Sequence, residues 1–341
     1  MAQELVDVQS INGLHQNVES QSTRRPNGAS PDHARAPTRL ARPEVLEPII
    51  HSSRAMDEVL TRIKRMRDIS GPILITGETG TGKELVARLV HGISPRHKQE
   101  FIPFNCGGLT PELIAGELFG YRRGAFTGAD RDYKGVIRTA NGGTLLMDEI
   151  GELPLEAQTG LLRFLEEGEV RLLGEARPIK VDVRVVASTN RDLESEVRAG
   201  RFRDDLFWRL NVFRVHIPPL RERREDIRPL IKHFLARRQL ETGKEGLELS
   251  DQAWELMFDY QWPGNVRQLA AVAYRLVAFA ENNELIGRER ALDAIGTGIC
   301  APPPVAVVIE GQDLRDLPFH EAMDEVQRFL VEDACPFGDA A

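Results

Sequence analysis

The sequence predicts an α/β fold: a parallel sheet flanked by helices and carrying a P-loop, followed by a smaller all-helical domain. Three observations predict it. Short apolar runs alternate with helical patterns between about residues 48 and 221. The first run opens into Gly77-Glu78-Thr79-Gly80-Thr81-Gly82-Lys83. Strand signals stop after Arg221, and three helical patterns occupy residues 222–298.

The elements follow in order. Residues 1–47 are rich in Ser, Asn, Gln, Pro and Arg, with Ser22 to Pro31 at the centre. Their apolar periodicity is too weak to offset ordering entropy, so a disordered tail is expected. Strands are predicted at Ile73–Thr76, Phe101–Asn105, Thr144–Asp148, Val181–Ser188 and Phe213–Ile217, the last ended by Pro218-Pro219. Helices are predicted at Lys83–His91, Leu155–Glu167, Ile227–Leu240, Ser250–Tyr260 and Asn265–Ala280. Asp226 and Ser250 are the expected starts of two of them. Ala301-Pro-Pro-Pro304 reads as a stiff linker, and Phe319–Ala334 as a last amphipathic helix within residues 299–341.

Composition narrows the function classes. The 341 residues carry 44 Lys and Arg against 52 Asp and Glu, a net charge of −8, so the chain is no polycation that coats nucleic acid by charge alone. The 3 cysteines, Cys106, Cys300 and Cys335, form no C-x-x-C pair, which argues for a reducing compartment without disulfides or a zinc knuckle. No apolar run approaches a membrane span, and the N-terminus lacks a secretory pattern, so a cytoplasmic protein with no membrane partner is expected.

The G-x-x-x-x-G-K run between a strand and a helix is the context that marks a P-loop. Its glycines turn backbone N–H groups toward phosphate oxygens, and Lys83 would reach the outer phosphates of ATP. The next residue is Glu84, so the Ser or Thr hydroxyl that usually touches Mg²⁺ is missing. The Thr144–Asp148 strand ends in two acids, where open α/β sheets place their ligands. Asp148 is the candidate holder of Mg²⁺, and Glu149 the candidate to orient the attacking water. The acid pair, with no evident acceptor site, favours hydrolysis over transfer to a metabolite.

Gly77 to Glu84, Gly124-Ala125-Phe126-Thr127-Gly128-Ala129, Asp148-Glu149 and Trp262-Pro-Gly-Asn-Val-Arg267 occur in this order. Together they resemble the central domain of bacterial enhancer-binding proteins, the AAA+ activators of sigma-54 RNA polymerase. The resemblance spans about residues 48–298, and Glu84 is shared with that family. It implies an AAA+ P-loop core (48–221) with a helical lid (222–298). It also implies ATP hydrolysis with Mg²⁺, a ring that is expected to be a hexamer, and a Gly124–Ala129 loop that contacts sigma-54 with Phe126 and Thr127 at its tip. From the residues alone, Phe126 reads rather as the buried aromatic of an ordinary Gly-rich hairpin. Glu169 to Ile179 resembles a second pore-side loop.

Other roles carry over by position. Asn105 resembles the residue that restrains the catalytic Glu; by itself it reads as a turn-capping Asn. Thr189 and Asn190 resemble the first sensor, or else a helix N-cap. Arg203 and Arg209 resemble fingers reaching a neighbouring subunit's ATP, or else surface partners of Asp204 or Asp205. Arg267 resembles the second sensor, or else a solvated helix residue. Trp262 and Cys106 read as core packing. Ile49 to Met56 resembles the adenine-side segment, with His51 where the family more often has Gly.

The ends set two further expectations. The residues before the core are too few for a receiver or ligand-sensing domain, so control through expression level or a separate partner is expected. Residues 300–341 hold nine acids and two bases, a balance of −7, unlike a DNA-reading element. Phe319–Ala334 resembles only the first helix of the family's helix-turn-helix domain. Sequence-specific DNA binding is therefore not expected. The alternative function is that of a DNA-blind partner forming mixed rings with a full-length homologue.

Overall fold

The computed structural model describes residues 49–108, 110–126, 129–175, 177–296, 308–309 and 312–313. The expected tail, the Ala301–Pro304 linker and the Phe319–Ala334 helix lie outside the described residues, as do Thr127 and Gly128.

In chain order the elements are α1 (Arg54–Arg65), β1 (Ile73–Thr76), α2 (Lys83–Gly92), β2 (Phe101–Asn105), α3 (Pro111–Phe119), α4 (Val136–Thr139) and β3 (Thr144–Asp148). Next come α5 (Leu155–Glu167), β4 (Glu169–Val170), β5 (Ile179–Lys180), β6 (Arg184–Thr189), α6 (Leu193–Arg198), α7 (Asp204–Leu210) and β7 (Phe213–His216). The lid contributes α8 (Ile227–Thr242), β8 (Glu248–Leu249), α9 (Asp251–Asp259), α10 (Asn265–Phe279), β9 (Leu285–Ile286) and α11 (Arg288–Ile295). Val308–Ile309 and Gln312–Asp313 form a short antiparallel pair.

Five parallel strands make the central sheet in the order β2-β3-β6-β1-β7. The three inner strands are buried along their apolar lengths, as expected where helices cover both faces. Their side chains alternate between two cores. Leu74, Leu145, Met147, Val185 and Ala187 pack with α3 to α7. Ile73, Ile75, Leu146 and Val186 pack with α1 and α2. The edge strands β2 and β7 are only partly buried. Pro103 sits in β2, an edge where the missing N–H breaks no inner ladder.

Two expectations change. The fourth predicted strand begins at Arg184 rather than Val181, because residues 181–182 are held elsewhere. Val181 N–H donates to Gly168 O, Asp182 N–H donates to Asn141 Oδ1, and Asp182 O accepts from Gly142 N–H. The lid is not purely helical: β8 and β9 pair in parallel over two residues each. Its core gathers Leu220, Ile231, Leu249, Met257, Trp262, Leu269, Leu276 and Ile286. Trp262 is fully buried and donates to Met257 O, the packing role its sequence suggests. No helix among the described residues is long and apolar enough to cross a membrane.

His91, near the end of α2, is buried, with Nδ1 2.9 Å from Thr144 Oγ1. Burial, and then the nearby charge of Arg184, lowers its pKa. The unfolded chain therefore binds a proton more readily, so His91 favours folding above the ordinary histidine pKa and this contribution is lost as pH falls through the lowered value. Urea unfolding between about pH 7 and pH 5 is expected to lose stability more steeply for the wild type than for His91→Gln.

Candidate functional site

The parallel register brings five strand ends to one edge. Asn105 pairs with Asp148, and Thr76 lies between Thr189 and His216. The Gly77–Gly82 loop leaves this edge from β1 and enters α2 at Lys83. Gly77 N–H donates to Thr189 O at 3.3 Å, which seats the loop on β6. Gly80 shows why the loop needs glycine. Its φ is +80°, and a Cβ there would stand 2.3 Å from Gly264 O of the lid.

Inside the loop, Thr81 Oγ1 donates to Glu78 O at 2.8 Å, and Lys83 Nζ donates to Gly77 O at 2.8 Å and Glu78 O at 3.0 Å. Burial lowers the Lys83 pKa; Asp148 opposes that shift, Arg267 adds to it, and Glu149 opposes it. These groups therefore share one electrostatic neighbourhood. Glu84 faces away, paired with Arg88 one turn on at 2.8 Å.

Asp148 is held before any ligand arrives. Its Oδ1 accepts from Ser188 Oγ at 2.6 Å and from Glu149 N–H at 3.0 Å. Glu149 takes φ +55°, a left-handed conformation uncommon for a residue with a Cβ and typical of functional turns. Gly107 makes room for its carboxylate: a Cβ there would lie 2.6 Å from Glu149 Oε2 and 3.2 Å from Asn105 Oδ1. Asn105 Oδ1 accepts from Gly107 N–H at 2.7 Å, so Asn105 adopts the turn-capping arrangement that the residues alone suggest, beside Glu149.

Thr189 Oγ1 accepts from Arg191 N–H, and Asn190 Nδ2 donates to Thr79 Oγ1 at 2.9 Å. Neither caps the following helix; Asp192 does. Asn190 thus touches the phosphate loop from β6. Arg203 and Arg209 hydrogen-bond within the chain. Arg203 pairs with Asp205 at 2.7 Å, the surface pairing foreseen as an alternative, and Arg209 donates to Leu165 O at 2.7 Å.

The Gly124–Ala129 loop stands on a narrow base. Tyr121 and Tyr133 bridge across it, and Gly124 N–H donates to Ala129 O at 2.8 Å. Phe126 is only half-exposed. Its ring meets Tyr121 edge-on at 4.9 Å, so the aromatic lies against its own stem. Arg122 joins this loop to the second one. It pairs with Asp132 at 2.5 Å and Glu175 at 2.9 Å, and its N–H donates to Leu173 O. The Glu169–Ile179 stretch is closed by the β4–β5 pair. Cys106 is fully buried, with its thiol pKa pushed far up by burial, as a packing residue should be.

The connector between core and lid supplies contacts that motif reading missed. Arg221 reaches Glu78, Arg223 Nη2 donates to Thr81 O at 2.9 Å, and Arg267 N–H donates to Gly80 O at 3.2 Å. Asp226 stands at the N-cap position of α8, the helix start its sequence predicts, but its carboxylate makes no capping hydrogen bond there. It is fully buried, and it accepts from Ser52 N–H at 2.5 Å, Ser53 N–H at 2.7 Å and Ser53 Oγ at 2.9 Å. The Ile49–Met56 segment is thereby pinned to the lid. His51 there does not enter the left-handed region, so the position does not demand glycine; its ring spans Ile49 O and Asp57. A cue existed in the run Arg221-Glu-Arg-Arg-Glu-Asp226, whose charges sit where a buried turn forms, but sequence alone reads such a run as solvated.

A parallel sheet with a glycine-rich loop at its switch edge, closed by a helical lid, defines a P-loop domain of the AAA+ class. Residues 49–216 match the sigma-54 interaction domain, and residues 221–291 match the AAA+ ATPase lid domain. The chain thus carries a sigma-54 interaction domain joined to an AAA+ ATPase lid domain. It is 51% identical over 225 residues to the transcriptional regulatory protein XylR of Pseudomonas putida, covering 66% of this chain and 40% of that protein. It is 46% identical over 251 residues to the DNA-binding transcriptional regulator NtrC of Klebsiella pneumoniae, covering 74% and 54%. The chain thus spans about half the length of these relatives. Among solved structures, NtrX of Brucella abortus in complex with ATP superposes with a TM-score of 0.68 at 32% identity, covering 82% of this chain and 61% of that one.

The buried Arg223–Asp226 pair, 3.7 Å apart, holds loop, lid and Ile49–Met56 segment together. Asp226→Ala strands a buried guanidinium and two serine N–H groups, and is expected to cost about 3–5 kcal/mol in urea unfolding.

Proposed function

We propose that this chain hydrolyses ATP and uses the cycle to remodel sigma-54 RNA polymerase at a promoter. The observation that carries this reading is the shared neighbourhood of Lys83, Asp148, Glu149 and Arg267 at the strand-end edge, beside a loop built for phosphate. The ATP-bound and ADP-bound NtrX structures support the choice of nucleotide.

In this mechanism the Gly77–Gly82 N–H groups and Lys83 bind the phosphates, trading the contacts Lys83 makes with Gly77 O and Glu78 O for contacts to ligand oxygens. The donor chemistry fits Mg²⁺: Asp148, a hard oxygen ligand already oriented by Ser188, would hold the ion. Its chemistry there would be to neutralise charge on the transferring phosphoryl group. Glu149 orients and polarises the attacking water. Asn105 and Gly107 set where its carboxylate can rest. Asn190, in contact with Thr79, reads the loop, as Arg267 does from the lid.

Arg203 and Arg209 are exposed on α7 and its cap, and they make their hydrogen bonds to Asp205 and Leu165. They serve a neighbouring subunit's site in a ring, which we take to be a hexamer. Such in-trans guanidinium groups are worth about 10³–10⁵ in rate in other systems. The Gly124–Ala129 loop contacts sigma-54, and Arg122 passes motion between it and the Glu169–Ile179 loop. Release of Phe126 from Tyr121 exposes the aromatic contact.

Lys83→Ala is expected to abolish nucleotide binding by fluorescent-analogue titration and to reduce hydrolysis by about 10²-fold or more. Thr127→Ala is expected to keep steady-state hydrolysis while losing open-complex formation with sigma-54 polymerase. Joint loss of both activities in Thr127→Ala would refute the division of labour.

A further inference from the structure

Glu78 is a carboxylate in the middle of a loop that receives phosphate. A negative charge there opposes its own ligand unless it is neutralised and turned away. Both conditions are met. Arg221 grips Glu78 with two nitrogens, Nη1 to Oε2 at 2.9 Å and Nη2 to Oε1 at 2.5 Å. Asn265 Nδ2 donates to Glu78 Oε2 at 3.1 Å and to Thr79 O at 3.0 Å.

Asn265 is the first residue of α10. It is fully buried, its φ is +51°, and its Oδ1 accepts from Leu220 N–H at 2.7 Å. Its amide is therefore fixed from both sides, and Glu78 is the acceptor it is aimed at. Arg267 follows two residues later, with its N–H on Gly80 O.

We infer that Glu78 is a positioning residue, a latch gripped by Arg221 and Asn265 that ties the phosphate loop to the first turn of α10 and holds Arg267 over the loop. The inference rests on the ATPase reading above and deepens it by naming a side chain through which motion of the loop reaches the lid. A paired guanidinium and carboxylate is directional, so a shift of the loop on binding phosphate carries the first turn of α10 with it. The coupling is reciprocal: lid placement must bias the loop by the same free energy.

The latch differs from a general stabilising contact. Both partners are more than one-third exposed, with side-chain exposures of 36% for Arg221 and 42% for Glu78, so solvent screens the pair and its share of global stability is small. The lid keeps its own core without either residue. Cutting the latch should leave both domains folded and loosen the first turn of α10 against the loop, while Arg223 still holds Thr81.

The test uses the full chain as wild type, Glu78→Gln, Arg221→Ala, Arg221→Lys and the Glu78→Gln/Arg221→Ala double variant. Steady-state ATP hydrolysis is measured alongside hydrogen exchange of the α10 amides, with and without a non-hydrolysable ATP analogue and Mg²⁺. Each of Glu78→Gln and Arg221→Ala is expected to lower kcat about 5- to 10-fold with KM changed less than about twofold. The double variant should be no worse than either single one, and Arg221→Lys should recover part of the loss. Analogue-induced protection at residues 265–269 should vanish in both single variants.

Additive losses, wild-type kcat in either single variant, or a rise in KM alone would overturn the latch. The last result would make Glu78 a nucleotide contact. If Arg221→Ala fails to fold, the isosteric Glu78→Gln decides by the same readouts. If the wild type hydrolyses no ATP, the ATPase reading fails. The latch is then judged without nucleotide, where faster α10 exchange in Glu78→Gln supports it and unchanged exchange overturns it.

Discussion

The grip of the Leu220–Asp226 connector on the phosphate loop is the constraint on which the rest of this structure depends. Within seven consecutive residues the chain contacts Glu78, Thr81, Asn265, Ser52 and Ser53. Each contact spans elements far apart in sequence. Two of the participants, Arg223 and Asp226, are charged and nearly inaccessible. Burying such a pair costs desolvation, so its retention points to what it positions more than to what it stabilises. It positions a loop with few apolar atoms of its own, which Thr189 and Asn190 also hold from the end of β6.

The chemistry gathers at the strand ends because of how the sheet is buried. Continuous apolar strands can end in polar groups only where the helices open, and the parallel arrangement sends all five ends to the same edge. Asp148 reaches that edge with its orientation set by Ser188 and its own chain, and Glu149 takes a left-handed turn to face Gly107. Little reorganisation is then required when a ligand arrives, which is the condition under which fixed charges act most strongly on a transferring phosphoryl group.

The Gly124–Ala129 loop is built differently. It has a tied base and a tip whose aromatic folds onto Tyr121, and its link to the neighbouring loop is an exposed arginine shared between two acids. Exposed ion pairs are weak and easily exchanged. That suits a part which, in the proposed cycle, must change shape while the sheet beneath it does not.

Much of this was legible from residues alone. Local pattern placed the strands of the sheet and the main lid helices because apolar periodicity, Pro218-Pro219 and the Gly-rich loop act over short range. Motif spacing placed Lys83, Asp148 and Glu149 at one site, since strand ends in a parallel sheet converge regardless of loop detail. Where local pattern fell short, the cause was contacts from other elements. A strand starting at Val181 follows from near neighbours, whereas residues 181 and 182 are held by Gly168, Asn141 and Gly142. Likewise Gly107, Arg221 and Asn265 carry no motif, and their importance comes from close approach to Glu149 and Glu78. Sequence determined the class of fold and the chemical groups of the site, because those follow from local pattern. Tertiary structure alone decided which charges are buried and which side chains join loop to lid, because hydrogen bonds between distant residues depend on geometry that only the packed chain creates.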